Sequence, residues 1–600
     1  MEPYDLVTAA AARLTRSQLE ADGNGGVLWL EQRPDLEGRT ILCSRSKAGL
    51  VTQLGDPSWS LASSIGGYGG RAYVVAPHGI YVVLARSHEL WFLPEVGEPR
   101  LYFSPPPTWA LGDLVLTNRG VTAIREIAGD SIARSIVAID ESGEVVTLFE
   151  GPHFLMDLRA APLGNRVAFV HWEHPDMPWD AAQVTVAAVS PEGPLGVEQH
   201  FGGRTSPSWA PRFSPDGVFS FQQTIGEWIT PTLVSSQGEL ASFGGSHDYA
   251  DVPWTSTAGA HLVRANGELL GVARRDGSHV LQLLTQGSRF VDGDAVTIVD
   301  LCESDGSVLV LAATHAERTT LFCLDEVTES LRPLLPSTPR SVTPLISTAI
   351  SGPHGERIEG FFASPEGAVK PPLIVFCHGG PTAQVDPSFD PAVQVFCSRG
   401  FAVAAPNYRG STGFGLSYRT ALNGNWGIVD VADVIAYARG LIELGLVDAQ
   451  AVFIRGGSAG GFTALRALSS GQFLGATGNY ACTDLVQLAH MTHDFELHYL
   501  DSLLGPLATN ESAYADRSPI NHPEELKGSV LLLQGSEDVV VPASQTEQLV
   551  DRCRALGLDV TARFFAEEGH GFRRASTLVA AFEVELAHYA RLLAELDRSR

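Results

Sequence analysis

The chain has 600 residues, of which 44% are hydrophobic and 18% charged, so the composition excludes a wholly disordered protein. Its 68 acidic and 41 basic residues give a formal net charge of −27. This charge argues against binding to a nucleic-acid backbone, which requires clustered Lys and Arg side chains. At ~150 residues per domain, the length allows about four units, or fewer if one is a large repeat domain.

The seven cysteines are few and odd in number, and no CxxC pair or zinc-site spacing occurs. They indicate reduced thiols in a cytoplasmic protein. We expect no signal peptide, because no basic segment precedes an apolar one, and no membrane helix, because no run of about 18 apolar residues occurs. There is no Walker, HExxH or dinucleotide-binding pattern, so we predict no cofactor and no metal.

The first 340 residues have the pattern of many short β-strands separated by turns. Apolar runs such as 79–85 and 166–172 alternate with turn sequences such as 214–217. About 330 residues of this kind exceed a single sandwich, and at ~40–50 residues per four-stranded blade they amount to about seven blades. The sequence therefore predicts an N-terminal β-propeller over residues 1–340.

After residue 340, strands alternate with helices, which is typical of a parallel sheet covered on both faces. Segment 335–344 contains several prolines and is the predicted hinge between the two domains. We predict an α/β domain with a mostly parallel sheet over residues 341–600. Its predicted strands lie at 372–377, 400–405, 451–455, 530–534 and 563–566, and its predicted helices at 428–446, from about 459, at 544–556 and at 577–596.

Residues 456–460 match the G-x-S-x-G motif, with Ser458 at the centre. The motif follows a predicted strand and precedes a predicted helix, which is the context of a nucleophile elbow. Ser458 would occupy a tight turn that exposes its hydroxyl above the sheet, and small neighbours let strand and helix approach closely. The sequence predicts Ser458 as a nucleophile.

A serine nucleophile needs an adjacent base, and in this fold the chain order is Ser, then Asp or Glu, then His. Asp538 follows predicted strand 530–534, and His570 follows predicted strand 563–566. His570 would accept the serine proton while Asp538 orients the imidazole. Glu537 remains an alternative acid, and seventeen other histidines compete with His570.

A second glycine-rich loop, His378-Gly379-Gly380-Pro381, follows predicted strand 372–377. Two glycines there allow a backbone N–H to point into the site. We predict that the N–H groups of Gly380 and Ala459 form an oxyanion hole. The alternative is a simple Gly-Pro turn.

Six segments in the C-terminal half resemble the prolyl oligopeptidase family of serine peptidases, in particular its branch of acylaminoacyl peptidases and bacterial aminopeptidases. This resemblance implies an α/β-hydrolase domain joined to an N-terminal β-propeller, with Arg409 ordering a loop near the active site. Two departures are Gln534-Gly535, where the family usually has HG, and the poorly matching region 213–260. The six segments are HGGP (378–381), NYRGSTGFG (407–415), GGSAGG (456–461), RSPINH (517–522), QGSEDVVVP (534–542) and EGHGF (568–572).

An aminopeptidase must recognise a free α-ammonium group, and an acidic side chain does so well. Glu496 is the first candidate for this anchor and Glu173 the second; the alternative for Glu496 is a solvated helix face. Phe495, Tyr499 and Phe572 are candidates for an apolar pocket, although for each of them the pattern favours the alternative of a core residue. Trp179 belongs to a propeller segment that either faces the substrate or forms a corner between blades.

The sequence therefore predicts a serine peptidase that cleaves short peptides or small aminoacyl amides near the N-terminus, with the propeller gating access. The alternative is an esterase, or an acyl transferase or macrocyclase of a biosynthetic pathway, with the same three residues, because only the second nucleophile differs. A non-catalytic propeller binding module is the third hypothesis. We predict no nucleic-acid or membrane partner, and family resemblance allows a homo-oligomer.

Overall fold

A computed structural model describes residues 2–129, 131–256, 261–285, 287–335, 341–352 and 354–600. Seven four-stranded antiparallel sheets, each built from consecutive strands, form a β-propeller, as predicted. Blade by blade, the strands are β1 Thr15–Ala21, β2 Val27–Arg33, β3 Arg39–Arg45 and β4 Val51–Leu54; β5 Tyr73–Ala76, β6 Gly79–Val83, β7 Leu90–Pro94 and β8 Arg100–Phe103; β9 Trp109–Thr117, β10 Gly120–Ile127, β11 Ala133–Ile139 and β12 Val145–Glu150; β13 Phe154–Ala160, β14 Arg166–Trp172, β15 Gln183–Ala188 and β16 Gly196–Gly202; β17 Ser208–Phe213, β18 Phe219–Ile225, β19 Trp228–Val234 and β20 Leu240–Ser242; β21 His261–Val263, β22 Leu269–Arg275, β23 Ser278–Leu283 and β24 Arg289–Phe290; and β25 Ala295–Ser304, β26 Ser307–Thr314, β27 Thr320–Asp325 and β28 Ser330–Pro333.

The ring of blades closes through packing between the first and the last blade. Trp29 of β2 shares an apolar core with Leu311 of β26, and both side chains are buried. The backbone N–H of Leu19 also donates to the carboxylate of Asp300 at 2.9 Å. Each blade is continuous in sequence, so side-chain packing and such hydrogen bonds join the two ends of the propeller.

The second domain is built on one nine-stranded sheet in the order β29-β31-β33-β32-β34-β35-β36-β37, with β30 paired to β31. Every neighbouring pair from β33 to β37 is parallel, whereas β31 runs antiparallel to β33. The mostly parallel sheet is thus confirmed. Its strands are β29 Ile346–Ser347, β30 Ile350–Ser351, β31 Arg357–Ala363, β32 Leu373–Cys377, β33 Ala402–Asn407, β34 Val452–Gly457, β35 Gly475–Asn479, β36 Ser529–Gly535 and β37 Val560–Phe565.

Apart from α2, which lies between β14 and β15 of the propeller, the helices cover this sheet or connect its strands, and the long amphipathic ones lie where helical periodicity predicts them. In the described parts of the chain, none of them is long and apolar enough to cross a membrane. All seven cysteines are unpaired. The helices are α1 Leu6–Ala11, α2 Pro178–Ala181, α3 Pro391–Cys397, α4 Leu416–Thr420, α5 Val429–Glu443, α6 Ala459–Leu468, α7 Leu485–Met491, α8 Tyr499–Leu504, α9 Leu507–Arg517, α10 Ala543–Ala555 and α11 Ala575–Ser599.

Helix α1 corrects the predicted domain boundary. Its Ala9 is completely buried in a core that includes Phe582 and Tyr589 of α11. Just before it, the N–H of Tyr4 donates to Ser398 Oγ at 2.8 Å. The short apolar face of α1 needs a partner surface, and the second domain provides it. The first residues therefore pack with the second domain, not with the propeller to which they were assigned. Part of the predicted hinge, residues 336–340, lies outside the described residues.

The two domains share a continuous apolar core at their interface. Phe154 and Trp172 of the propeller pack against Phe495 of the second domain, with ring centroids 5.9 and 5.6 Å apart. Trp179 of α2 packs against Tyr499 of α8 in the same core, at 5.7 Å. This contact brings propeller loops directly over the ends of the parallel strands, where the candidate site lies.

Candidate active site

Ser458 lies in the sharp turn between β34 and α6. Its backbone has φ +56° and ψ −124°, a left-handed region that a side chain other than glycine rarely adopts. The turn ends the strand and begins the helix within one residue, so the Ser458 side chain lies next to the N-terminus of α6. Such strain persists only where the surrounding structure enforces it, which is typical of a functional position.

The glycines around Ser458 are required by close backbone contacts. A Cβ on Gly460 would lie 2.2 Å from the carbonyl oxygen of Cys377 in β32. A Cβ on Gly456 would lie 2.2 Å from the carbonyl oxygen of Gly460. On Gly461, it would lie 2.5 Å from the Cβ of Ala481. The G-x-S-x-G motif therefore lets α6 pack directly on the strand edges that hold the turn.

His570 and Asp538 form a hydrogen-bonded pair after the last two strands. His570 Nδ1 lies 2.9 Å from Asp538 Oδ2, and the Asp538 side chain is completely buried. The other oxygen, Oδ1, accepts the N–H groups of Val540 at 2.9 Å and Val541 at 2.8 Å. Gln534 Nε2 donates to Asp538 Oδ2 at 3.3 Å. Three donors and His570 Nδ1 thus surround this carboxylate and fix its orientation toward the imidazole.

The loop after β32 lies directly against the serine turn. A Cβ on Gly379 would lie 3.2 Å from the carbonyl oxygen of Gly457 and 3.7 Å from the Cβ of Ser458. Gly380 has φ +120°, a conformation that favours glycine. These contacts bring the predicted oxyanion loop beside the predicted nucleophile.

His378 is a structural member of this loop. Its ring stacks on Tyr408 with centroids 4.2 Å apart, and its Nε2 lies 2.8 Å from Ser411 Oγ. Burial lowers the pKa of His378 to about 4, so the ring is neutral at physiological pH. The Tyr408 hydroxyl donates to the carbonyl oxygen of His378 at 2.8 Å. Tyr408 therefore stabilises the loop through both the ring and the backbone of His378.

Arg409 fastens the segment that follows β33. Its side chain bonds both oxygens of Asp433, with Nη2 2.6 Å from Oδ1 and Nε 3.0 Å from Oδ2. It also lies 3.1 Å from Glu356. Paired bonds of this kind fix a loop geometrically as well as electrostatically.

A cavity of about 270 Å³ opens over these elements. Ser458, His570 and Gly380 lie on its wall together with Glu496. Most of the remaining wall is apolar or aromatic, which is typical of a small-molecule or peptide pocket. The other lining residues are Tyr68, Trp254, Pro381, Ala383, Trp426, Ala459, Cys482, Leu488, Thr492, Tyr499, Leu500, Val540 and Val541.

Glu496 is held by one hydrogen bond from each domain. The Tyr68 hydroxyl of the propeller donates to Glu496 Oε1. The Thr492 hydroxyl donates to Oε2 at 3.2 Å. The carboxylate therefore has a defined position within the cavity, and Tyr68 carries a raised pKa because of its burial and the adjacent Glu496 carboxylate.

Tyr499 is the second predicted pocket residue on the cavity wall. Its hydroxyl lies 2.6 Å from Thr382 Oγ1 and accepts the Thr382 N–H at 3.1 Å. Because Thr382 follows the Gly380-Pro381 turn, this contact also braces the oxyanion loop. Burial raises the pKa of Tyr499, so its phenol stays protonated.

The other predicted pocket residues lie off the cavity wall. Phe495 and Trp179 are buried in the interdomain core. Neighbouring apolar side chains surround their rings, so neither ring borders the cavity. Glu173 is exposed, and its Oε2 accepts the N–H of His153 at 3.1 Å. Phe572 packs against Tyr480 and borders a separate cavity behind the serine turn. These four positions are corrections to the predicted pocket.

Sequence reasoning missed the cavity residues that come from the propeller. Tyr68 lies in a Gly-Gly-Tyr-Gly-Gly segment, and Trp254 lies between β20 and β21. The two rings meet edge to face with centroids 5.5 Å apart, and the Trp254 Nε1 donates to the carbonyl oxygen of Thr382 at 2.8 Å. The one sequence signal that could have indicated Tyr68 is its position as an aromatic residue among four glycines. Trp254 lies in region 213–260, which matched the family poorly, so the resemblance gave no indication of its role.

Comparison with known proteins places this geometry in a family. Residues 387–595 match the sequence pattern of the prolyl oligopeptidase family. This match covers most of the C-terminal domain and none of the propeller. Among solved structures, a puromycin-hydrolyzing peptidase of Mycobacterium tuberculosis superposes with a TM-score of 0.92 and 29% identity, covering 99% of this chain and 96% of that one. Both domains of the chain therefore have a counterpart in one known structure.

Curated relatives match about a third of the chain. Dipeptidyl aminopeptidase BIII of Pseudoxanthomonas mexicana is 30% identical over 215 residues, 34% of this chain and 30% of that protein. Acylamino-acid-releasing enzyme 1 of Oryza sativa subsp. japonica is 30% identical over 225 residues, 36% of this chain and 29% of that protein. The matched region thus spans about 30% of these relatives' length.

Proposed function

We propose that the chain is a serine peptidase that hydrolyses short peptides or small aminoacyl amides near their N-terminus. One observation carries this proposal: a single cavity is lined by Ser458, His570 and the carboxylate of Glu496, with apolar walls around them. A nucleophile, a base and an ammonium-binding group within one small space fit a substrate whose scissile carbonyl lies close to a free amine.

In the proposed reaction, Ser458 Oγ attacks the substrate carbonyl carbon while its proton passes to His570 Nε2. The C–N bond then breaks, and the departing amine takes that proton from His570. Water attacks the resulting ester, with His570 as base, and releases the acid and Ser458. Asp538, 2.9 Å from His570 Nδ1, keeps the imidazole in the tautomer that can accept at Nε2.

The tetrahedral intermediate needs donors for its negative oxygen. Ala459 is the first residue of α6, so its N–H has no acceptor within the helix. Gly380 belongs to the loop that lies against Ser458. We assign these two N–H groups to the oxyanion, where a pair of fixed donors contributes about 3–4 kcal/mol per donor to transition-state stabilisation.

Glu496 is assigned to the substrate α-ammonium group. A carboxylate and an ammonium form a charge-assisted hydrogen bond, and the partly buried cavity strengthens it relative to water. The similarity to the puromycin-hydrolyzing peptidase of Mycobacterium tuberculosis supports this class of substrate, because puromycin is an aminoacyl amide with a free amine. The apolar wall formed by Trp426, Cys482 and Leu500 would accept the side chain next to the scissile bond.

The experiment compares matched chromogenic amides of phenylalanine and alanine, each with a free and an N-acetylated amine, together with puromycin and one ester. The wild type and Ser458→Ala are assayed side by side. We expect hydrolysis of the free-amine amides that Ser458→Ala lacks. Preference for N-acetylated amides would contradict the role of Glu496, and cleavage of the ester without any amide would contradict a peptidase.

A further inference from the structure

Two histidines of the propeller converge on one aspartate of the hydrolase domain, outside the catalytic cavity. His153 Nε2 lies 3.0 Å from Asp494 Oδ1 and 3.1 Å from Oδ2, and His174 Nε2 lies 3.3 Å from Oδ1. His153 precedes β13, His174 follows β14, and Asp494 lies two residues before Glu496. The two imidazole nitrogens share Oδ1 as a neighbour, and these three atoms form a compact set of potential ligand atoms.

The spacing of these atoms fits a bound metal ion. All three donor atoms lie within 4.8 Å of one another. In a tetrahedral zinc site with bonds of about 2.0–2.1 Å, neighbouring donor atoms are about 3.3 Å apart. The two imidazole nitrogens lie 3.0 and 3.3 Å from Asp494 Oδ1, close to this value, so an ion would need little rearrangement around that oxygen.

The surroundings hold the carboxylate in position for such an ion. Arg134 Nη2 lies 2.9 Å from Asp494 Oδ2 and its Nη1 donates to the carbonyl oxygen of His153 at 2.7 Å. Arg134 is itself paired with Glu126, so its charge is already matched. Hydrogen bonding to the non-ligating oxygen is the usual support of a metal-binding carboxylate. The side chains of His153, His174 and Asp494 are 18–29% exposed, which leaves a path for an ion and a fourth, exchangeable ligand.

We propose that His153, His174 and Asp494 form a site for a divalent transition metal, with Zn²⁺ as the best match, that bridges the propeller and the hydrolase domain. Two imidazoles and one carboxylate are ligands that Zn²⁺ prefers, whereas Ca²⁺ and Mg²⁺ prefer oxygen ligands throughout. The inferred site is separate from the chemistry at Ser458 and does not depend on it. Its three ligands are far apart in sequence, which explains why no zinc spacing was evident.

The test is a titration of tag-free protein with Co²⁺, followed by visible absorption, and with Zn²⁺, followed by calorimetry. We expect one ion per chain, with the intense d–d absorption of a four- or five-coordinate Co²⁺. His153→Ala and His174→Ala should each weaken binding by about tenfold or more, since even the loss of a residue that only hydrogen-bonds to a metal ligand lowers affinity by that factor. His78→Ala, an exposed histidine in a turn of the second blade, is the matched control and should bind as the wild type does.

A further variant separates loss of metal binding from loss of the folded structure. Asp494→Asn keeps the shape of the side chain but removes its charge, and it should also lose the Co²⁺ spectrum while its circular dichroism remains native. Zn²⁺ should raise the unfolding temperature of the wild type, because it binds the folded state, and should not raise that of the variants. Absence of stoichiometric binding in the wild type, or equal binding by the variants, would overturn the proposal.

Discussion

The hydroxyl of Tyr68, in the propeller, donates a hydrogen bond to Glu496, in the hydrolase domain, at the wall of the cavity that contains Ser458. The proposed ammonium anchor is therefore complete only when the two domains are in contact. A loop of the propeller, 390 residues away in sequence from the proposed nucleophile, thus holds the carboxylate that we propose selects the substrate. In this proposal, substrate choice depends on the contact between the two domains through this one hydrogen bond.

The role of Glu496 predicts a selective loss of affinity. Glu496→Gln should raise KM for free-amine amides by about tenfold to a hundredfold, because a hydrogen bond between charged groups contributes about 1.5–3 kcal/mol. KM for the N-acetylated counterparts should change little. Steady-state kinetics on the matched pairs provides the measurement, with Glu173→Gln as the control because Glu173 lies off the cavity wall. Equal changes for both substrate classes would refute the assignment.

The surroundings of Asp538 predict a severe effect of Asp538→Asn. Its Oδ1 must accept two backbone N–H groups, so the new amide nitrogen would face His570 Nδ1. That nitrogen can only donate, which forces the proton of His570 onto Nε2 and removes the base. We expect kcat to fall about ten-thousandfold with the fold intact.

Neutralising the neighbouring acid is the matched control for this change. Glu537 is exposed and precedes Asp538 directly, and Glu537→Gln should keep the wild-type kcat. A large loss with Glu537→Gln and a small loss with Asp538→Asn would mean that the alternative acid orients His570.

The packing at the serine turn predicts that Gly460→Ala destabilises the hydrolase domain. The added Cβ would lie 2.2 Å from a backbone oxygen of β32, so β32 and α6 must separate. We expect a loss of about 1–3 kcal/mol or more, measured as a lower unfolding temperature by calorimetry. Gly196→Ala is the control, since its Cβ meets nothing closer than 3.8 Å and should change stability by less than about 0.5 kcal/mol. Equal stability of the two variants would contradict the described contact.

Buried His261 predicts a pH-dependent stability of the propeller. It lies between Ser220 Oγ, 2.9 Å from Nε2, and Gln222 Nε2, 3.2 Å from Nδ1, and burial lowers its pKa to about 3. The unfolded chain binds this proton near pH 6.5, so the folded state loses stability as the pH falls from 6.5 towards 3.

Comparison with His261→Gln isolates this one group, because all other titratable groups are shared. Below pH 6.5, the wild type should lose about 1.4 kcal/mol per pH unit relative to the variant. Urea unfolding at pH 7, 6 and 5 measures the difference. Parallel stability curves for the two proteins would show that His261 does not contribute.

The apolar wall predicts a size limit for the side chain at the scissile bond. Cys482 is buried on this wall, and its N–H donates to the carbonyl oxygen of Ser458 at 3.4 Å. Cys482→Leu should lower kcat/KM for a phenylalanine amide by about tenfold or more and leave an alanine amide nearly unchanged, since a pocket rejects an oversized group by 1–3 kcal/mol. Cys482→Ser, which keeps the size, should preserve the preference. The same loss for both amides would exclude this wall as the side-chain pocket.

Much of this molecule was predictable because its signals are local. Turn spacing predicts seven blades, and the strict packing around Gly456 and Gly460 makes the serine turn visible as a motif. Helical periodicity predicts 428–446, and α5 occupies Val429–Glu443. Each of these features depends on residues close together in sequence.

The proposed substrate pocket was less predictable because its walls come from distant segments. Tyr68 and Trp254 reach the cavity only through the packing of the propeller on the hydrolase domain, which no local pattern encodes. Phe495 and Tyr499 are four residues apart and both pack in the interdomain core, yet Tyr499 also lines the cavity and Phe495 does not. A side chain's direction in a short irregular helix is set by its neighbours in space, so sequence could propose both but not separate them.

The most direct test of the account is covalent trapping of the nucleophile with a diphenyl phosphonate analogue of phenylalanine that carries a free amine. Peptide mass spectrometry of the wild type should find one adduct per chain, on Ser458, and none in Ser458→Ala. The N-acetylated reagent should label the wild type more slowly than the free-amine reagent does. In Glu496→Gln the two reagents should label at similar rates. An adduct on another residue, or undiminished amide hydrolysis by Ser458→Ala, would contradict the assignment of Ser458 as the nucleophile.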